Sequence, residues 1–221
     1  MIKPIREVKI RMVRHQPDLS KDVDDIVKQQ WQRGEELGKK NGQITAVRDC
    51  SVISGVAHIT AFATQYKYFW AQQQDPELGA LVEPLAVSGA VRDANMQYLV
   101  GQRSNTVTQY AGCWEFAPSG GLMPKEALSE DAAELALRRE FKEELTIGEN
   151  TISRVTPIGL LFDSKDHVYN IAQLIDLYIV FPDQPLLHQD DYTEQTTLAL
   201  VDVVKLTPAV PTMMQIYDLL R

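Results

Sequence analysis

The sequence predicts an α/β (α+β) fold in which a mixed β-sheet carries helices on its faces, preceded by a small α/β subdomain. Three observations lead there. Segments of period two, such as Val8-Lys9-Ile10-Arg11-Met12, occur beside segments of helical period, such as Val23, Ile26, Val27, Trp31 and Leu37. Strands and helices follow one another without a regular strand–helix–strand rhythm, which favours a mixed sheet over an all-parallel one. A polar, turn-prone stretch, Q-Q-Q-D-P-E-L-G at 72–79, separates the first part from the rest and suggests units at 1–84 and 85–221.

Each element has its own signal. Ser20 or Asp22 can cap the first helix, and K-K-N-G at 39–42 supplies a basic last turn and a stop. Residues 44–63 alternate and are rich in Val, Ile, Thr and Ala, as strands are. Y-K-Y-F-W-A at 66–71 is either a short helix or an aromatic packing block. Leu85 to Val91 and Tyr98 to Gln102 form a hairpin about the turn D-A-N at 93–95. C-W-E-F at 113–116 leads to a P-S-G-G loop at 118–121, and a long helix runs from about Glu130 to Leu145. Strands at 155–163 and 171–181 follow, joined by a polar connection at 165–170. A last strand near 197–204 leads to a helix from Pro211 to Leu220, with proline at its favoured first position.

The chain has 221 residues, 44 % apolar and 24 % charged, the proportions of a soluble globular protein. A chain of this length buries roughly 70 % of its unfolded surface, so it needs no disulfide to fold. Lys plus Arg number 22 against 30 Asp plus Glu, a net charge of −8. That acidity argues against non-specific binding to nucleic acid or a membrane surface, while leaving room for an anionic substrate held through a metal ion. Cys50 and Cys113 look like the thiols of a reducing compartment. The longest apolar stretch, Val52 to Ala63, is broken by Ser54 and His58, and the first ten residues lack the apolar core of a secretion signal. The expectation is a soluble, cytoplasmic protein.

The informative segment is R-E-F-K-E-E-L-T-I at 139–147. On a helix Glu140, Glu143 and Glu144 stand at i, i+3 and i+4, so their carboxylates share one face roughly 5–6 Å apart. Like charges at that spacing destabilise a bare helix. Mg²⁺ wants such an all-oxygen site and keeps waters and substrate phosphate oxygens as its other ligands. Arg139 can neutralise a neighbouring acid, and the glycines before the helix let backbone approach a ligand closely. The competing explanation is a solvated helix laced by pairs such as Glu134–Arg138.

The wider context resembles the Nudix hydrolase family, whose signature is G-x(5)-E-x(7)-R-E-U-x-E-E-x-G-U with U a bulky apolar residue. Arg139, Glu140, Phe141, Glu143, Glu144 and Ile147 match its core. R-S-N-T-V-T-Q-Y-A-G-C-W-E-F-A-P-S-G-G at 103–121 resembles the strands leading into the signature, and Glu194 followed by T-L-A-L-V-D-V-V-K-L resembles the acidic loop and last strand. Three positions depart from the pattern. Asp131 stands eight residues before Arg139 where the family has Glu. The loop from Gly121 to that acid is four residues longer than the signature allows. Thr146 replaces the glycine that usually ends the helix, which shifts the expected left-handed stop to Gly148.

The resemblance implies an α/β/α sandwich over 85–221 and hydrolysis of a pyrophosphate bond. It implies metal ligation by Glu140, Glu143, Glu144 and the carbonyl of Gly120, with Mg²⁺ as the ion and Mn²⁺ as an alternative. It further implies catalytic roles for Glu143 or Glu194 as base and for Arg139, and substrate contacts from Arg103 and Gly121. The substrate class is a small-molecule nucleotide, a nucleoside diphosphate linked to a sugar or another moiety. N-G-Q-I-T-A-V at 41–47 and T-Q-Y-K-Y-F-W-A at 64–71 resemble the appendage of the UDP-glucose diphosphatase group. A homodimer is a further expectation. The alternatives are a catalytically silent nucleotide-binding module, an isomerase of the same fold, which would need a cysteine-bearing strand, and an RNA-decapping enzyme, which the net charge disfavours. Asn170 and Tyr169 are weaker candidates for base or sugar contacts, and His58 and Cys113 are expected to be packed.

Overall fold

The structure, a computed structural model, describes residues 2–107 and 109–221. Met1, and Thr108 within the 103–121 segment, lie outside the described residues. In chain order the elements are β1 (Ile2–Pro4), β2 (Glu7–Met12), α1 (Lys21–Glu36), β3 (Gln43–Ile53), β4 (Val56–Gln65), α2 (Tyr66–Gln74), β5 (Leu85–Arg92), β6 (Gln97–Arg103), β7 (Trp114–Phe116), β8 (Ser119–Gly121), α3 (Ala132–Glu144), β9 (Ile152–Asp163), β10 (Val168–Leu177), β11 (Tyr192–Ala199) and α4 (Pro211–Leu220).

Among the described residues the strands form two sheets. The larger runs β1-β9-β10-β5-β6-β11, with β8 attached to β5 and β7 to β6; the smaller runs β2-β4-β3. Both are mixed: β10 pairs parallel with β5, and β2 parallel with β4, while the other pairs are antiparallel. Strand alternation sends neighbouring side chains to opposite cores. Ile171 joins Val87, Leu137 and Phe141 under α3, together with Ile59 of the smaller sheet, whereas Ala172 joins Met213 and Ile216 under α4. The result is the expected sandwich with a helix on each face. Residues 2–4 belong to the larger sheet, and β3 reaches it through Val47 N–H to Glu83 O at 2.8 Å.

Hairpin β5–β6 opens beyond its turn. Arg92 pairs with Tyr98 next to the turn, and beyond them β7 and β8 fill the gap, with Gly101 opposite Glu115 and Val87 opposite Gly120. This wedge brings Glu115, Ser119 and Gly120 to the face on which α3 lies.

Several expectations are corrected. The strand expected near 197–204 is β11 ending at Ala199, followed by a 3-10 helix at Leu200–Lys205. A spacing of three aligns residues on one side of a 3-10 helix, and Leu200, Val203 and Leu206 all pack in one core. The helix expected from Glu130 begins at Ala132, with Asp131 as its cap residue. Its end needs no left-handed glycine. Leu145 is extended at φ −105°, and Gly148 has φ −76°. Instead Thr146 donates its N–H to Leu186 O and its hydroxyl to Pro185 O, both at 2.8 Å, and His188 N–H caps Glu144 O at 2.9 Å. β10 stops at Leu177 rather than 181, and His58 on β4 is exposed, since its inward neighbours are Ala57 and Ile59. Cys113, as expected, packs against the core under α4, half-buried.

Candidate functional site

Amphipathic spacing seats α3 on the sheet through Ala133, Ala136, Leu137 and Phe141, and this fixes where its acids point. Glu140 and Glu144 turn toward the β7–β8 wedge and are 8 % exposed, whereas the Glu143 side chain is 59 % exposed at the rim. A Cβ on Gly120 would lie 1.9 Å from Glu140 Oε1, so only glycine lets β8 approach this carboxylate. Gly101 plays the same part for the Tyr192 ring, whose Cδ1 would lie 2.4 Å from a Cβ there.

Arg139 ties the acids together. Its Nε donates to Glu126 Oε1 at 2.8 Å, Nη1 to Glu140 Oε1 at 2.7 Å and to Glu143 Oε2 at 3.3 Å, and Nη2 to the carbonyl of Gly121 at 2.8 Å. The acid facing Arg139 from the preceding loop is therefore Glu126. Asp131, expected there by spacing, is exposed at the helix start. Five residues separate Gly120 from Glu126.

Sequence reasoning missed Glu115 and Tyr192. Tyr192 OH is 2.6 Å from Glu144 Oε2 and 3.2 Å from Glu115 Oε1, and Arg103 Nη1 donates to Glu115 Oε1. Ser119 N–H points at Glu144 Oε1 from 3.3 Å. Glu115 was legible in outline, because an acid between Trp114 and Phe116 on a strand must face away from both. Tyr192 had no local signal.

Burial dominates the electrostatics. It pushes Glu144 up to about 8, with the charges of Glu115 and Glu140 adding and the Tyr192 hydroxyl opposing. It pushes Glu140 up to about 7 against the guanidinium of Arg139. Glu115 is raised too, because burial outweighs Arg103. Carboxylates thus outnumber the two guanidinium groups in a water-poor site, the setting in which a divalent cation is most stabilising.

A cavity of about 210 Å³ opens on this cluster, lined by Glu115, Glu140, Glu143, Glu144, Asp191 and Tyr192 among others. A second, of about 280 Å³, shares Arg103, Glu115 and Ser119 with it and extends past Gly120 and Gly121 toward β3, α2, β9 and β10. The structure thus brings together Arg103, Gly120, Gly121, Arg139, Glu140, Glu143 and Glu144. Glu194 is exposed on β11 and lines neither cavity; Asp191, three residues earlier, lines the smaller one. Asn170 lines the larger cavity, whereas Tyr169 stacks on Phe162 at 4.6 Å.

Among the described residues no three His, Cys, Asp or Glu side chains converge on one point as an ion would require. Glu140 is held by Arg139 and Glu144 by Tyr192, and Glu143 must swing inward to join them. The donor set nonetheless fits a hard cation: carboxylate oxygens and a glycine carbonyl at one cavity, with charge left uncompensated. Among the described residues no helix is long and apolar enough to cross a membrane.

Neither a family model nor a curated protein matches the chain. Solved structures do. Tm1382, a protein assigned as a Nudix hydrolase, superposes with a TM-score of 0.52 and 11 % identity, over 81 % of this chain and 98 % of that one. The MutT Nudix hydrolase of Burkholderia pseudomallei gives 0.46 and 19 %, over 63 % of this chain and 98 % of that one. The MutT protein of Methanosarcina mazei Go1 gives 0.46 and 21 %, over 61 % and 89 %. The likeness to Tm1382 is one of fold, and the chain has the α/β/α sandwich of that protein.

Proposed function

We propose that the protein hydrolyses a pyrophosphate bond in a nucleoside diphosphate linked to another moiety, a sugar or ribose in first place. The observation that carries this reading is the buried pair Glu140 and Glu144, raised by burial and short of positive charge, on the cavity that also holds Glu143 and Arg103. Glu140, Glu143, Glu144 and the Gly120 carbonyl would hold Mg²⁺, or Mn²⁺ in its place. Such an ion, when bound, supplies charge screening of the phosphates and a more acidic water.

The chain's own groups do the rest. Arg103, on the wall shared by the two cavities, donates to a phosphate oxygen in the fork geometry that suits it. Glu143, exposed at the rim, takes the proton of the attacking water; of the two acids expected for that role it is the one lining the cavity. Arg139 acts as a positioning residue, holding Glu126 and Glu140 and fixing the Gly121 carbonyl. Water attacks one phosphorus, the bridging oxygen leaves with the other, and two phosphorylated products result. We read residues 1–84 as an appendage and 85–221 as the hydrolase unit. The likeness of 41–47 and 64–71 to the UDP-glucose diphosphatase appendage supports a nucleoside diphosphate sugar.

A second reading, a nucleotide-binding module without turnover, is favoured by Glu140 and Glu144 being engaged by Arg139 and Tyr192. One experiment separates the two: a Mg²⁺-dependent hydrolysis screen over UDP-sugars, ADP-ribose, dinucleoside polyphosphates, NADH and coenzyme A, run beside Glu143→Gln. Cleavage of at least one compound, lost in the variant, is expected. Binding without cleavage selects the module, and equal turnover by variant and parent removes Glu143 from the mechanism.

A further inference from the structure

The larger cavity has a built polar wall that the hydrolytic chemistry does not use. We propose that it is the subsite for an unphosphorylated, hydroxyl-rich moiety of the substrate, a ribose or a hexose, with Asp166 as the acceptor that selects it. The direction in which the phosphates leave this subsite rests on the hydrolase reading above.

The two cavities meet at Arg103, Glu115 and Ser119, so a molecule whose phosphates lie by the α3 acids continues into the larger one. Of the residues that line it, Ser88, Asp163, Asp166 and Asn170 are all more than nine-tenths buried. Their hydrogen bonds are unequally used. Asp163 is committed on both oxygens, Oδ1 accepting from Lys165 N–H at 2.9 Å and Oδ2 from the Tyr110 hydroxyl. Asn170 Oδ1 accepts from Ser88 at 3.0 Å. Asp166 accepts only from Gln109 Nε2, at 2.8 Å, among the described residues, and a carboxylate has about four acceptor positions.

Charge then decides what enters. Hydroxyl groups donating to a carboxylate in a water-poor pocket make strong, charge-assisted bonds. A phosphate set against Asp163 and Asp166 would meet two acids at low dielectric and be repelled. Ile44, Tyr66 and Phe69, from the amino-terminal unit, form the opposite wall and give the apolar surface a sugar or base face needs. At about 280 Å³ the space lies just below the ~300–1,000 Å³ typical of ligand sites, a size suited to a single small moiety such as a ribose or hexose.

The test is calorimetric binding to the full chain, with Mg²⁺ present, of AMP, UMP, ribose 5-phosphate and glucose 1-phosphate. Adenosine 2′,5′- and 3′,5′-bisphosphates are measured beside them, on the parent, Asp166→Ala and Asp166→Asn. At least one monophosphate should bind the parent. Asp166→Ala should weaken it about tenfold, the loss of one charge-assisted hydrogen bond. The bisphosphates should bind the parent about tenfold more weakly than the monophosphates, and Asp166→Asn should narrow that gap by removing the repelling charge. If Asp166→Ala does not melt cooperatively, Asp166→Asn alone decides. The proposal is overturned if none of the probes binds, if the bisphosphates bind as tightly as the monophosphates, or if folded Asp166 variants bind like the parent. Asp166-dependent binding with no hydrolysis of any linked diphosphate would leave the subsite standing and remove the hydrolase reading.

Discussion

Two adjacent glycines offer a controlled test of how tightly the site is built. In Gly120→Ala the new methyl would lie 1.9 Å from Glu140 Oε1 and 2.1 Å from its Cδ, both well inside contact. The carboxyl must rotate away and give up its 2.7 Å bond from Arg139 Nη1. Losing a charged hydrogen bond in a buried setting costs about 1.5–3 kcal/mol, and the off-rotamer side chain adds about 0.5–1.5 kcal/mol. The sum of about 2–4.5 kcal/mol lowers Tm by roughly 4–18 °C for a chain of this size. In Gly121→Ala the methyl meets nothing within 4 Å, and the carbonyl that accepts from Arg139 is unchanged. Its stability should stay within about 0.5 kcal/mol of the parent. Thermal melts of the three proteins in metal-free buffer give the answer. Equal melting of the two variants would mean that Glu140 does not press on Gly120, and the packing argument for the site would fail.

Three further outcomes are expected. Tyr192→Phe removes the hydroxyl 2.6 Å from buried Glu144 and should destabilise the protein by about 1–3 kcal/mol, read by urea unfolding. In metal-free protein the raised carboxyl of Glu144 makes stability fall as pH climbs from the ordinary value of 4.5 toward about 8, because the folded state binds the extra proton. Glu144→Gln should therefore melt higher than the parent at pH 8 while losing hydrolysis; a lower Tm there would refute burial as the cause. Asp176 behaves oppositely: burial alone would raise it, but the bonds from Arg154 and Arg92 outweigh burial and hold it below 3.8. Its contribution is complete above that pH and lost as pH falls through the folded value, so Asp176→Asn should flatten the acid limb of the stability profile.

What could be read from the sequence was what depends on near neighbours. The i, i+3, i+4 spacing of Glu140, Glu143 and Glu144 gave their common face, and Ser20, whose hydroxyl accepts from Val23 N–H, was correctly among the caps considered for α1. Local rules failed where a distant group supplied the partner. Thr146 was expected to need a glycine substitute nearby, but the 185–188 segment satisfies the helix end. Asp131 stood at the right distance from Arg139 along the chain, yet the 3-10 turn at Glu126–Leu128 carries Glu126 back to it instead. Tyr192 lies 48 residues from Glu144 and 77 from Glu115, and only the wedge of β7 and β8 between β5 and β6 brings them together. Of the polar wall of the larger cavity only Asn170 was a candidate from the sequence; Ser88 and Asp166 join it through sheet pairing and a loop rather than through any motif.

The most direct measurement is an anomalous difference map from crystals soaked in Mn²⁺ with a non-hydrolysable nucleoside diphosphate analogue. A peak about 2.0–2.2 Å from carboxylate oxygens of Glu140, Glu143 and Glu144, and close to the Gly120 carbonyl, is the expected result. A map with ordered nucleotide and no peak among those oxygens would contradict the assignment of this helix as a metal-dependent hydrolytic centre.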